Sequence, residues 1–210
     1  MTLLERLPDV QHDDVHDGAR TAPALETARL RLRALQRKDA GAIAKLANDR
    51  RIAENNWRIP HPYKRADADG FIRYVEESTT ETAFAITLAD DTLIGIGGLR
   101  MAAPRKPPEI GYWLGVPYWG QGYATEAARA LVDHAFEDLR LEQLEAGARV
   151  SNPASRRVLE KCGFQWKGVV LQRIHAVASS APVDRFRLDR GLWASLKAWG
   201  QAKGQARRVA

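Results

Sequence analysis

Tyr118-Trp119-Gly120-Gln121-Gly122-Tyr123-Ala124-Thr125-Glu126-Ala127 is the stretch that decides how the rest of the chain is read. Upstream, residues 109–116 alternate, with Ile110, Tyr112 and Leu114 on one side, the pattern of a strand. Downstream, Ala124, Ala127, Ala128, Leu131, Val132 and Ala135 fall on one stripe of helical period across residues 124–138. The quoted segment is therefore a strand-to-helix turn. A helix start offers unpaired N–H groups and the positive end of a dipole. Gly120 and Gly122 remove side chains that would block an approaching anion, and Ala124 is small, so the turn reads as a phosphate cradle. No Gly-Lys-Ser/Thr follows, which argues against a nucleotide P-loop. The third glycine of a dinucleotide fingerprint would fall on Thr125, which argues against NAD.

Outward from this turn, the N-terminal side gives a half-buried strand over residues 25–35, with Leu30, Leu32 and Ala34 set against Arg29, Arg31 and Arg33. Asp39 offers an N-cap to a helix carrying Ile43, Leu46 and Ala47. Residues 50–65 read as irregular, with Pro60 and Pro62 as breakers, and residues 66–77 as a second helix. Residues 82–88 and 93–101 form a hairpin across the turn 89–92, and residues 102–108 a loop. On the C-terminal side, residues 141–150 alternate as a strand. Asn152-Pro153 then opens a short helix that closes at Gly163. Strands over 164–175 and 183–189 and a helix from Leu192 complete an α/β pattern, a mixed sheet with helices on both faces. Residues 1–24 read as a loosely ordered extension, 25–190 as one domain, and 191–210 as a helix with a basic tail.

Composition bounds the function. The 210 residues are 45% hydrophobic and 28% charged, ordinary for a soluble globular chain. Cys162 is the one cysteine, which excludes an intramolecular disulfide and a Cys-based metal site and reads as a small buried hydrophobe. His12, His16, His61, His134 and His175 show no ligand spacing, so no metal is expected. No apolar run reaches membrane-spanning length, and the polar, acidic start has no signal-peptide core, so a cytoplasmic setting without membrane contact is expected. The net charge of +6 favours anionic partners, but no dense basic block is interleaved with aromatics. A nucleic-acid partner is accordingly disfavoured, and association with a second copy stays open.

Four segments together resemble the GCN5-related N-acetyltransferase superfamily, in particular its RimJ/RimL-like branch. They are residues 25–33 (Leu-Glu-Thr-Ala-Arg-Leu-Arg-Leu-Arg), residues 109–115 (Glu-Ile-Gly-Tyr-Trp-Leu-Gly), the stretch 118–127 quoted above, and residues 152–164, from Asn-Pro-Ala-Ser to Lys-Cys-Gly-Phe. One departure is Trp119, where the superfamily often carries Gln or Arg. The resemblance implies a mixed, mostly antiparallel sheet of about seven strands in which two central parallel strands splay apart. It implies acetyl-CoA as co-substrate, and transfer of acetyl to a primary amine on a small molecule or a protein N-terminus. The pantetheine arm would lie along the backbone of Trp113, Leu114 and Val116. The pyrophosphate would sit on Trp119, Gly120, Gln121, Gly122, Tyr123, Ala124 and Thr125. Asn152 resembles the asparagine that bonds the pantetheine arm, and it is equally suited to be a plain N-cap. Ser155 resembles the serine placed near the thioester sulfur. Glu109 opens the strand expected to polarise the thioester, and is the candidate base or an ordinary surface carboxylate. Trp57 and Tyr63 fall in the variable acceptor-side loop. The alternative is an acyl-CoA-binding sensor on the same fold, since no tyrosine acid follows Asn152.

Overall fold

The computed structural model describes residues 23–101 and 107–209, with side chains through residue 202. The loop expected at 102–108, the extension expected before residue 25 and the basic tail side chains Lys203, Arg207 and Arg208 fall wholly or largely outside the described residues.

Among the described residues, eight strands form one sheet: β1 (Leu25–Glu26), β2 (Arg31–Ala34), β3 (Glu81–Thr87), β4 (Leu93–Arg100), β5 (Glu109–Leu114), β6 (Gln143–Arg149), β7 (Gln165–Ile174) and β8 (Ser179–Asp189), in the order β1-β2-β3-β4-β5-β6-β8-β7. Every neighbouring pair is antiparallel except β5 and β6. The count exceeds the expected seven because residues 25–35 are two strands. The Thr27 hydroxyl donates to the Leu30 carbonyl at 3.0 Å and closes a turn, so β1 folds back on β2. Arg29 leaves the strand and reaches the helix that follows the glycine turn.

Helices α1 (Ala40–Ala47), α2 (Arg50–Ala53) and α3 (Arg65–Glu77) cover one face of the sheet. Helices α4 (Tyr123–Glu137), α5 (Pro153–Lys161) and α6 (Arg190–Val209) cover the other. The stripe read from the sequence explains α4. Ala127, Ala128, Leu131, Val132 and Ala135 are all buried against the sheet. Small residues on the helix and Gly97 on β4 allow a close approach, since a Cβ at Gly97 would lie 2.9 Å from Leu131 Cδ1. Truncating a core leucine such as Leu131 costs ~2–5 kcal/mol.

Arg33, expected on the solvent face, is buried. Its guanidinium grips Asp39 with two bonds of 2.8 and 2.9 Å and reaches Asp91 at 2.6 Å. Asp39 consequently does not cap α1 through its side chain. It accepts from the Gln36 N–H and ties β2 to the start of that helix.

Candidate active site

The parallel pair makes the site. β5 lies beside β6 at a single register, Glu109 opposite Glu145, with the Glu145 N–H donating to the Pro108 carbonyl at 2.8 Å. Beyond that point each strand keeps its antiparallel partner, β4 or β8, and the two part. A cavity of about 450 Å³ occupies the opening, lined by Ile110–Leu114, Ala146, Gly147, Asn152, Ser155 and the glycine turn among others. The vertex of the V is pinned by charge. Glu109 bonds Arg100 through one oxygen and Arg185 through the other, the latter at 2.7 Å. Arg185 continues to Glu145 at 3.1 Å, and Glu145 to Arg187 at 3.1 Å.

The glycine turn closes the far end. Gly120 and Gly122 have φ of +75° and +83°, the left-handed region that suits glycine. Among the described residues, no protein acceptor meets the backbone N–H groups of Gly120, Gln121, Gly122, Tyr123 or Ala124. Five donors without a protein partner thus lie along the turn and the start of a fifteen-residue helix, where an anion is favoured. Arg29 buttresses the turn. It pairs with Glu126, donates to the Gln121 carbonyl at 3.1 Å and lies 4.5 Å from the centre of the Tyr123 ring. Arg157 and Lys161 line the same cavity and have no ion-pair partner among the described residues. The Gln121 side chain turns back to the Pro117 carbonyl at 3.0 Å and stays off the cavity wall.

The register reassigns the backbone donors expected along β5. The Gly115 N–H donates to the Ile94 carbonyl, so Gly111, Trp113 and Gly115 turn their main-chain groups toward β4. Ile110, Tyr112 and Leu114 face the opening. Trp113 lines the cavity by its position, with its main chain engaged by Ile96, and Val116 packs into the core under the first three helices. The Leu114 carbonyl is already taken by the Trp119 indole N–H at 2.7 Å. Alternation of side chains was read correctly from the sequence; which edge each main-chain group serves depends on the partner strand.

Asn152 caps α5, its Oδ1 accepting the Ser155 N–H at 3.1 Å. Its amide nitrogen has no acceptor among the described residues, so the cap leaves that end of the group unused. The Ser155 hydroxyl lies 3.3 Å from the Tyr112 hydroxyl. Tyr112 shares one face of β5 with Ile110 and Leu114, as the alternation predicts, and its ring packs against the core. Its hydroxyl nonetheless reaches the cavity, and burial pushes its pKa well above the ordinary tyrosine range, against a smaller opposing effect of the Ser155 bond. No sequence signal marks it, because the contact joins residues 43 apart.

A second cavity of about 480 Å³ lies on the other side of β5, lined by Trp57, Arg58, Tyr63, Asp67, Glu81, Arg100 and Glu109 among others. Trp57 belongs to both cavities, and Tyr63 to this one alone. The Tyr63 pKa is pushed up to about 12 by burial and by Asp67. Glu109 and Ser155 thus sit on opposite sides of the strand. Among the described residues, no group of three or more His, Cys, Asp or Glu is placed to hold a metal. No described helix is long and apolar enough to cross a membrane.

These features have counterparts in known proteins. Residues 29–165, more than half of the chain, match the family described as "Acetyltransferase (GNAT) domain". "Probable N-acetyltransferase YjcK" of Bacillus subtilis is 40% identical over 101 residues, which cover 47% of this chain and 56% of that one. The chain thus spans little more than half the length of that relative. "Uncharacterized N-acetyltransferase p20" of Bacillus licheniformis is 30% identical over 151 residues, covering 70% of this chain and 84% of that one. In fold, the chain is similar to the crystal structure of spermidine N-acetyltransferase from Vibrio cholerae in complex with CoA and spermine, with a TM-score of 0.70 at 23% identity over 80% of this chain and 99% of that one. A mixed sheet split between one parallel pair, a glycine turn at the mouth of the split, and a family match across both place the chain in the GCN5-related N-acetyltransferase superfamily.

Proposed function

We propose that the protein transfers acetyl from acetyl-CoA to a primary amine, in the manner of the RimJ/RimL-like branch and in the cytoplasm. The observation that carries this is the parting of β5 and β6 with five unpaired amides at its mouth. The diphosphate would rest on those amides, with Arg157 and Lys161 near its charge. The pantetheine arm would run along the open edge of β5, its amides paired with main chain of Ile110 and Tyr112 and with the Asn152 amide nitrogen.

The amine enters from the cavity that holds Glu109. Its nitrogen attacks the thioester carbonyl, a C–N bond forms, and the C–S bond breaks. The ammonium proton leaves to water or to a free lone pair of Glu109, whose two oxygens each already accept from one arginine. The thiolate accepts a hydrogen bond from the Tyr112–Ser155 hydroxyl pair as it leaves and is then protonated from water. Burial keeps Tyr112 protonated across the working range, so it serves as a donor. No tyrosine follows Asn152; a buried hydroxyl beside Ser155 supports transfer over a sensor without activity.

The test is thiol release from acetyl-CoA with a panel of amines: peptides with free N-termini, polyamines and amino-acid amides. Release that depends on one amine class supports the proposal and names the acceptor. Tight CoA binding with no release from any class would overturn it.

A further inference from the structure

The two cavities that flank β5 share a wall made of Asn56, Trp57 and Ile110–Trp113. Ile110 and Tyr112 turn to the α4 side, and Trp113 packs toward the first three helices. Gly111 remains. It is exposed in the middle of an inner strand, and a Cβ built there would meet no atom within 4 Å. Its φ is not among the positive ones, so the backbone does not require glycine. Neither packing nor conformation accounts for the missing side chain.

Its surroundings are specific. Gly98 lies opposite it in β4, and the Glu109–Glu145 register carries Gly147 of β6 to the same level across the opening. A Cβ at Gly147 would lie 3.1 Å from the tip of the Trp57 indole, so Trp57 lies over β6 at this level, more than 4 Å from a Cβ at Gly111. One end of this level opens to the cavity with Glu109, Glu81 and Asp67; Glu109 is paired with Arg100 and Arg185 and Glu81 with Arg58, which leaves Asp67 as the carboxylate without an ion pair among the described residues and able to attract a protonated amine. The other end opens to the cavity with Tyr112 and Ser155.

We propose that Gly111 and Trp57 frame the aperture through which the acceptor amine meets the thioester, and that the absent side chain at position 111 lets the site take amines branched at the α-carbon. This rests on the transfer reading above. An unbranched amine needs only the width of its methylene chain; an α-branched amine needs the volume that a side chain on residue 111 would fill.

The experiment uses Gly111→Ala and Gly111→Val with two probe amines, glycinamide and valinamide. Both substitutions enter open space, so the melting temperature and CoA affinity should stay near those of the parent. Gly111→Ala should lower kcat/KM for valinamide by about tenfold or more and for glycinamide much less, the scale of a misplaced methyl in a shaped pocket. Gly111→Val should lower both, with the same bias. Equal losses for the two amines, or none, would overturn the aperture. A parent that turns over other amines but neither probe would overturn it too. A parent that binds CoA and turns over no amine defeats the transfer reading instead. The aperture is then judged by calorimetry of the two probes into the CoA complex: weaker valinamide binding in Gly111→Val supports it, and unchanged or absent heats refute it.

Discussion

Asn152 caps α5 and is proposed to bond the cofactor, and one pair of substitutions separates the two. Its Oδ1 caps α5 through the Ser155 N–H at 3.1 Å, while its amide nitrogen is the end left for the cofactor. Asn152→Asp keeps an oxygen for the cap and removes the N–H donor. Asn152→Ala removes both. Loss of an N-cap costs ~1 kcal/mol, which in a domain of this size lowers Tm by roughly 2–4 °C. Asp caps about as well as Asn and adds a favourable charge at a helix start, so unliganded Asn152→Asp should melt with the parent or slightly above it. Binding should divide differently. A neutral hydrogen bond contributes ~1 kcal/mol net, which is about fivefold in Kd. Asn152→Ala should lose about that factor. Asn152→Asp should lose more, because a carboxylate now faces the carbonyl that the amide served. Differential scanning calorimetry of the free protein and titration calorimetry with CoA give the two readouts. Parent-like CoA affinity in Asn152→Asp would show that the amide nitrogen takes no part in binding and that Asn152 is a cap alone.

Gly122→Val places a branched residue at a φ of +83° with its Cβ 3.4 Å from the Arg29 guanidinium, so both the cradle and the free fold should suffer. The strain costs ~1–2 kcal/mol in stability, and CoA affinity measured well below the new Tm should fall further than that strain explains; unchanged affinity would reduce the turn to a connection. Glu109→Gln leaves Arg100 and Arg185 without their shared carboxylate. Stability should drop by ~1–2 kcal/mol, since Arg100 is half exposed and Arg185 keeps Glu145, and the rate near neutral pH by on the order of a hundredfold, with partial rescue at high pH. A pH–rate profile parallel to the parent's would make Glu109 a clamp and not a base. Tyr112→Phe should lower kcat by about tenfold without rescue at high pH, modest because a thiol with a pKa near ~8.5 leaves readily, and a parent-like kcat would remove it from the mechanism. Asp91 is held down to about 2, first by the Arg33 bond and then by Lys38. A depressed carboxylate stabilises above its unfolded pKa and loses that contribution as pH falls through its folded one. The gap in urea midpoint between parent and Asp91→Asn should therefore be constant near neutrality and shrink from about pH 4 toward about 2. A gap that does not change with pH would refute the linkage.

What was legible in the sequence was what depends on neighbours along the chain. The α4 stripe, the glycine turn and the Asn152-Pro153 helix start are local patterns, and each lies within a residue or two of its expected place. The turn at Thr27–Leu30 was hidden because a strand broken by a tight turn keeps its alternation of side chains on both sides. Arg33 looked like a surface residue because its period matched Arg29 and Arg31; only Asp39 and Asp91, brought in by the fold, make its burial tolerable. The same holds at the site. Glu109 could be named but not its two arginines, one of which comes from β8. Tyr112 could be counted on a face but not aimed at Ser155.

The reason lies in what the site is made of. β5 commits one edge to six registers with β4, and β6 commits one edge to seven with β8. Each strand follows the twist of its own antiparallel partner, so two strands pinned at Glu109 and Glu145 must diverge. The groups left on the facing edges are main chain: Ile110 and Tyr112 on one side and, by the register that sends Val150 toward Pro182, Gly147 and Arg149 on the other. A buried main-chain group with no partner costs ~1–3 kcal/mol. Two such edges are stable only when wetted or when a ligand with alternating amides lies between them. Side chains hold the ends, where the ionic row fixes the vertex and Trp119 satisfies Leu114 at the mouth, and Tyr112, Asn152 and Ser155 add a few polar atoms between them. A binding surface built from peptide groups leaves no residue-type signature along its length, so the motif marks only the phosphate end.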